Sequence, residues 1–304
     1  MSNDFSAGFW RLADPKISLA SMSSIFLGAC AAAFHGPLHI GWLALTVCGI
    51  FAIEVAKNAS GEIFDFDSGT DQAVTLEDRS PFSGGKRVLV EHLLTRRQTL
   101  CIAAGGYALG IIAGLIVVLF REPSVLWWGL AGVGLAYLYH APPLKLAYRG
   151  LGEIGVVISY GPLICGGTYL VQHGVVKPQV LALSLPLGLL VGAFLWINEF
   201  PDYLADRAAN KKTLVVRMGR RPASRVFAGL LATAMCMLLL LPLFGLPRSV
   251  WLAAIAIPPS AIAALRLWRE PDTTTFVVPA QAMTLLAFVL FSLGGGVGLL
   301  MAKS

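Results

Sequence analysis

Residues 36–71 read GPLHIGWLALTVCGIFAIEVAKNASGEIFDFDSGTD, an apolar run over 38–57 that passes directly into carboxylates at Glu62, Asp65, Asp67 and Asp71. About 20 apolar residues rising 1.5 Å each match a hydrocarbon core about 30 Å thick, so this run is long enough to cross a bilayer as a helix. Carboxylates gathered where such a helix leaves the membrane repel one another unless a cation stands between them.

The same kind of run recurs at 17–35, 99–119, 124–140, 153–172, 178–197, 225–245, 249–267 and 276–301. Of the 304 residues 56% are hydrophobic and only 13% charged, and the mean hydropathy is +0.72. A soluble domain carries roughly 25% charged residues and cannot hide so much hydrocarbon from water. The expected fold is therefore all-α and polytopic, with about nine transmembrane helices around a central cavity and a cytoplasmic cap of loop helices. The whole chain, 1–304, reads as a single transmembrane domain. Cys30, Cys48, Cys101, Cys165 and Cys236 lie within apolar runs without CxxC spacing, as small buried hydrophobes do. The mixed, polar start MSNDFSAGFWRLADPK has no apolar core followed by a cleavage site, so no removable signal peptide is expected.

Nine crossings sort the basic residues sharply. Only Arg121, Lys177, Arg248 and Lys303 fall on the face opposite the N-terminus, against nineteen on the N-terminal side. The positive-inside rule then puts the N-terminus in the cytoplasm, in a multi-pass protein of the inner (cytoplasmic) membrane. The acids follow the same face, which that rule does not explain. Four helices after the first acidic stretch comes a second, Asn198-Glu-Phe-Pro-Asp202-Tyr-Leu-Ala-Asp206. This spacing suggests a pseudo-repeat, 17–140 and 153–267, followed by the ninth helix at 276–301, with both acidic ends at one central cavity.

Continued as helix, the first stretch places Asn58, Glu62 and Asp65 on one face, with Asp71 beyond a break at Ser68-Gly69. In the second, Asn198, Asp202 and Asp206 share a face, and Pro201 should kink or restart the helix. These seven residues are the candidate metal ligands. Hard oxygen donors of this kind suit Mg²⁺, which keeps waters and takes up substrate phosphate oxygens. Basic residues follow each cluster: Arg79, Lys86 and Arg87, then Lys211, Lys212 and Arg217. Metal together with Lys or Arg is the usual means of neutralising a diphosphate. A plainer reading of each basic residue alone is positive-inside charge.

With these residues the chain resembles the UbiA-type intramembrane prenyltransferases. The first family motif, N-D-x-x-D-x-x-x-x-x-D, is answered by Gly61-Glu62-Ile-Phe-Asp65 and Asp71, and the second, D-x-x-x-D, by Asp202 and Asp206. Ser68-Gly-Thr-Asp71, Tyr139-His-Ala-Pro-Pro-Leu-Lys145, Tyr148-Arg-Gly-Leu-Gly-Glu153 and Lys211-Lys-Thr-Leu-Val-Val-Arg-Met-Gly219 are most similar to the menaquinone branch. There are two departures. Glu62 stands where the family has Asp, and Gly61 where it has Asn, with Asn58 one turn earlier as a stand-in for the amide. Asp67 has no family counterpart and is expected to be solvated.

The resemblance implies Mg²⁺-dependent transfer of a polyprenyl group from its diphosphate to an aromatic quinone precursor, 1,4-dihydroxy-2-naphthoate in the menaquinone branch. Partners are then the polyprenyl diphosphate, the aromatic acceptor and the bilayer, and no nucleic acid. The implied catalytic residues are Asp65, Asp202, Lys145 and Tyr139. Arg79, Lys86, Lys211, Lys212 and Arg149 are candidates for the diphosphate. Lys145 or Arg149 could instead pair with the acceptor's carboxylate, and His140 is a possible proton acceptor. Tyr139, Tyr148, Tyr160, Trp196 and Tyr203 are candidate π faces for an allylic cation, although aromatic residues also belt membrane interfaces. Competing readings are another acceptor on the same fold, a cation transporter, and a non-catalytic scaffold. A CDP-alcohol phosphotransferase would need a compact D-x-x-D-G-x-x-A-R run, which neither cluster offers.

Overall fold

A computed structural model describes residues 4–303, and among these every regular element is helical. In chain order the α-helices are α1 Phe5–Ala13, α2 Pro15–His35, α3 Ile40–Asp67, α4 Thr70–Ala73, α5 Arg96–Phe120, α6 Val125–Leu138, α7 Gly152–Ile158, α8 Gly167–His173, α9 Pro178–Ala208, α10 Leu214–Met218, α11 Arg220–Leu240, α12 Ile257–Arg269 and α13 Thr274–Lys303. A wider-wound turn, Ser159–Gly166, with Pro162 inside it, joins α7 and α8 into one apolar span.

Among the described residues eight apolar stretches are long enough to cross a membrane: α1 with α2, α3, α5, α7 to α8, α9, α11 with its continuation to Phe244, Arg248 through α12, and α13. The run expected at 124–140 is instead the 14-residue α6, about 21 Å long at 1.5 Å per residue. It stops early because Pro142 and Pro143 follow; neither has an N–H to give, and proline disfavours helical backbone in the residue before it.

Two helices run further than their apolar runs. α3 continues ten residues past Lys57 and ends at Ser68-Gly69, where Gly69 has φ +81. α9 continues through Pro201 without interruption to Ala208. The proline withholds its hydrogen bond from the Ile197 carbonyl, and nearby the Phe200 carbonyl accepts from Arg220 Nε at 3.2 Å. With the shorter α6 counted as a crossing, α3 is the second and α9 the sixth, and alternation brings both polar extensions to the same face of the bundle.

The most enclosed helix is α9, buried over 72% of its membrane stretch, against 17% for α3 and α5. Lipid tails are as apolar as leucine, so helices in a bilayer gain by close packing rather than by escaping the solvent. Gly188 on α9 is one such close approach: a Cβ there would lie 2.6 Å from the Val157 carbonyl oxygen and 3.0 Å from Gly161 Cα. Gly188→Val is therefore expected to cost about 1–3 kcal/mol through overpacking. Thermal unfolding in detergent should show a lower midpoint, while Gly105→Ala, with no atom within 4 Å of its added carbon, should leave it unmoved.

Candidate active site

The extended ends of α3 and α9 converge on one ammonium group. Lys211, in the loop between α9 and α10, lies 3.8 Å from Asp65 Oδ1 and 3.5 Å from Asp206 Oδ1. It is the only cation within 4.0 Å of the cluster carboxylates among the described residues. Burial alone would lower its pKa, but Asp206 and Asp65 more than reverse this and hold it well above the usual lysine range. The Nζ also sits 5.4 Å over the Tyr148 ring. The Tyr148 hydroxyl in turn donates to Asp65 Oδ1 at 2.5 Å and lies 3.0 Å from Ser68 Oγ.

The other carboxylates are only partly satisfied. Glu62 Oε1 accepts from the Leu89 amide at 2.9 Å, whereas its Oε2 is buried without a hydrogen-bond partner. Asp71 Oδ2, Asp202 Oδ1 and Glu199 Oε2 are orphaned in the same way. Burial, then the charges of Asp65 and Glu62, push Asp71 up to about 9. The loop over 84–89 closes on this residue: Arg87 donates to the Asp71 carbonyl, and Gly85, at φ +76, would bring a Cβ within 2.1 Å of Asp71 Oδ1.

At an effective dielectric of about 20, two unit charges 4 Å apart interact by about 4 kcal/mol. One ammonium cannot offset the charge of all the cluster carboxyls at once, and the rise at Asp71 to about 9 is one consequence. Orphaned, buried carboxylate oxygens are the donor set of a hard divalent cation, and the residues fit such an ion. As they stand, no three acidic or histidine side chains among the described residues are gathered tightly enough to enclose one.

The remaining candidates divide. Asn58 donates through Nδ2 to the Leu12 carbonyl at 2.8 Å and so ties α3 to α1. Asn198 accepts from Gln281 Nε2 at 2.9 Å. Lys86 pairs with Asp14, and Lys145 rests 5.6 Å over the Tyr148 ring. Arg79, Arg149 and Lys212 are exposed. The Lys212 amide donates to the Tyr148 carbonyl at 3.0 Å, which anchors the Lys211 loop to the Tyr148 turn. Asp67 is paired with Arg96 on the exposed surface.

A second region was hidden in the apolar runs. A cavity of about 220 Å³ lies between α3, α5, α6 and the α7–α8 span. From Leu45 to Lys57 it follows α3 for about 18 Å at 1.5 Å per residue. Small residues such as Gly49, Gly110, Ala113 and Gly132 open its walls, and Glu54, Lys57, Tyr139 and Tyr160 form its polar end. Glu54 accepts from Ser21 Oγ at 2.9 Å and Tyr160 Oη at 3.0 Å. The Lys57 Nζ has no carboxylate within 4 Å among the described residues and stands 5.7 Å over the Tyr139 ring. Ionisable residues inside a membrane helix mark function; that signal was present at Glu54 and Lys57 but submerged in the hydropathy of the run.

His140 joins the two regions. Its Nε2 is 3.7 Å from Asp65 Oδ2 and its Nδ1 is buried without a partner. Burial and the nearby Lys211 and Lys57 push it down to about 4 against the pull of Asp65.

The UbiA prenyltransferase family matches residues 21–293. The chain belongs to that family, and its chemistry is prenyl transfer. It is 26% identical over 298 residues to the 1,4-dihydroxy-2-naphthoate octaprenyltransferase of Bacillus subtilis, covering 96% of this chain and 92% of that one. The enzyme of the same description from Mycobacterium tuberculosis is 31% identical over 225 residues, 73% of each. Among solved structures, a UbiA homolog from Archaeoglobus fulgidus bound to DMAPP and Mg²⁺ superposes with a TM-score of 0.68 at 14% identity, covering 95% of this chain and 99% of that one.

If Lys211 offsets the buried carboxylates, Lys211→Gln should destabilise the protein by about 3–5 kcal/mol, the usual cost of removing one partner of a buried ion pair. Thermal unfolding in EDTA should show the full loss, and Mn²⁺ should recover part of it. An unchanged midpoint in EDTA would mean that the carboxylates do not depend on this cation.

Proposed function

We propose that this prenyltransferase moves a polyprenyl group from its diphosphate to 1,4-dihydroxy-2-naphthoate, with a divalent cation, Mg²⁺ in the first instance, held by the buried carboxylates. The observation that carries this reading is that two environments follow one another along α3: an apolar cavity that runs beside the helix to Lys57, its polar end presenting Lys57, Tyr139 and Tyr160, and then the orphaned carboxylates from Glu62 onward. Relatives named for the same donor–acceptor reaction along nearly the whole chain support the acceptor.

Glu62, Asp65, Asp71, Asp202 and Asp206 are the residues that hold the ion. When bound, it supplies Lewis-acid neutralisation of the diphosphate, so that the allylic C–O bond ionises more readily. Lys211, already at the carboxylates, turns onto the phosphate oxygens. Arg79, Lys86, Lys145, Arg149 and Lys212 form a basic rim that draws in the diphosphate. Tyr148 holds Asp65 in place through its hydroxyl. The prenyl chain lies along the cavity beside α3, where the glycines leave room and water is excluded. The rings of Tyr139 and Tyr160 face the allylic cation. Lys57, a cation in the cavity wall, takes the acceptor's carboxylate in this reading, in place of Lys145 or Arg149. The excess of basic residues on the N-terminal side supports a cytoplasmic N-terminus and a site that faces the cytoplasm.

The deciding experiment measures transfer of a labelled prenyl group to 1,4-dihydroxy-2-naphthoate, with and without Mg²⁺, in wild type and Asp202→Ala. Transfer should require Mg²⁺ and fall at least about 100-fold in the variant, within the range expected of preorganised electrostatic groups. Activity on other quinone precursors or on a lipid alcohol, with none on the naphthoate, would overturn the acceptor and leave the transferase. A second measurement isolates Lys57: Lys57→Met should raise KM for the naphthoate about tenfold or more and leave KM for the diphosphate unchanged.

A further inference from the structure

The imidazole of His140 occupies the space that a side chain at residue 61 would fill. A Cβ built on Gly61 lies 2.6 Å from His140 Cε1 and 2.8 Å from Nδ1, distances that real carbon atoms do not tolerate. A side chain at position 61 would therefore displace the His140 ring from the place it occupies here. Gly61 lies beside Glu62 and one turn before Asp65 on α3, so the ring enters the acidic cluster where the family pattern has an amide. It arrives in an unusual state. His140 is only 9% exposed, Nδ1 has no hydrogen-bond partner, and the contact of Nε2 with Asp65 Oδ2 at 3.7 Å is too long for a hydrogen bond. A histidine buried to this degree ordinarily has a partner for at least one nitrogen.

The distance has another meaning. Two atoms each about 2.1 Å from one metal ion stand at most about 4.2 Å apart. At 3.7 Å, Nε2 and Oδ2 are within reach of a shared ion. Asn58, the alternative source of the missing amide, has its Nδ2 tied to the Leu12 carbonyl on α1, which leaves Oδ1 as its one remaining donor atom. We propose that His140 is a metal ligand in this chain, sharing with Asp65 the ion proposed above and replacing the absent amide by an imidazole nitrogen. The Gly61/His140 pair is thus an exchange of an oxygen donor on α3 for a nitrogen donor just past α6. Imidazole binds later first-row metals better than it binds Mg²⁺, so this site is tuned towards Mn²⁺ and Co²⁺ relative to an all-oxygen one.

Mn²⁺ with inorganic pyrophosphate is the probe, and electron spin echo envelope modulation of the bound Mn²⁺ is the readout, on protein labelled with ¹⁵N-histidine. Wild type should show a nitrogen coupling that follows the histidine label. His140→Ala should lose it and bind Mn²⁺ about tenfold or more weakly, the lower end of what a lost metal-site partner costs. Because His140→Ala leaves a hole beside Gly61, Gly61→Asn/His140→Ala fills it with the amide; this double variant should regain ion binding without the histidine coupling. Gly61→Asn alone, which forces the amide against the ring, should bind the ion worse than the double variant.

A Mn²⁺-loaded wild type without histidine coupling, or equal Mn²⁺ affinity in wild type and His140→Ala, overturns the assignment. If wild type transfers the prenyl group with Mg²⁺ yet shows no such coupling, the assignment to His140 alone falls. If wild type binds no divalent ion at all, the metal-dependent reading of the site falls with it.

Discussion

Everything at the charged end of the bundle is arranged around the contact of one buried ammonium, Lys211, with Asp65 on α3 and Asp206 on α9. Carboxylates taken out of water cost several kcal/mol each unless paired, and a helix end in a membrane has little water to offer. Lys211 links the two motif helices electrostatically, while Tyr148 and the Lys212 amide fix its loop. Yet it leaves Glu62, Asp71 and Asp202 each with an unpartnered oxygen. The protein thus keeps unpartnered carboxyl oxygens at the place where the proposed cation and diphosphate would meet. A site balanced by several fixed lysines would be more stable when empty and would have less need of the ion.

The helical architecture was legible because hydropathy reports directly on the bilayer: runs of about 20 apolar residues have few other ways to exist. The ends were less legible. Proline at 142–143 shortened α6 from outside its apolar run, whereas Pro201 did not stop α9. Proline acts through one missing N–H and one clash, and whether a helix survives depends on what else holds the neighbouring carbonyls. Tertiary contacts such as that of Arg220 with the Phe200 carbonyl have no signature at helical spacing.

The acidic half of the site could be read from i, i+4 spacing, because one helix face is a local property. Asn58 and Asn198 lie on that pattern and Lys86 follows it, and their side chains also reach Leu12, Gln281 and Asp14. Those partners are 46, 83 and 72 residues away in sequence. Spacing says which residues share a face, and it is silent on what faces them. The same blindness hid Lys57 and Glu54, which sit inside a run read only as a membrane span and prove to border a cavity.

That cavity explains why the charged cluster stands at the end of the bundle rather than in its middle. An allylic cation survives only where water is excluded, but its leaving group must be met by fixed charge. The two demands conflict at one point and agree at a boundary. α3 spans that boundary within one unbroken helix, with glycine-lined wall below Lys57 and carboxylates above Asn58. Because a helix transmits position rigidly along its axis, the reacting carbon is placed relative to both environments by the same element. A hinge between residues 57 and 62 would leave each half intact and still separate the diphosphate from the chain it carries. Continuity of α3 through its polar end is thus the structural condition for joining the two halves into one reaction site.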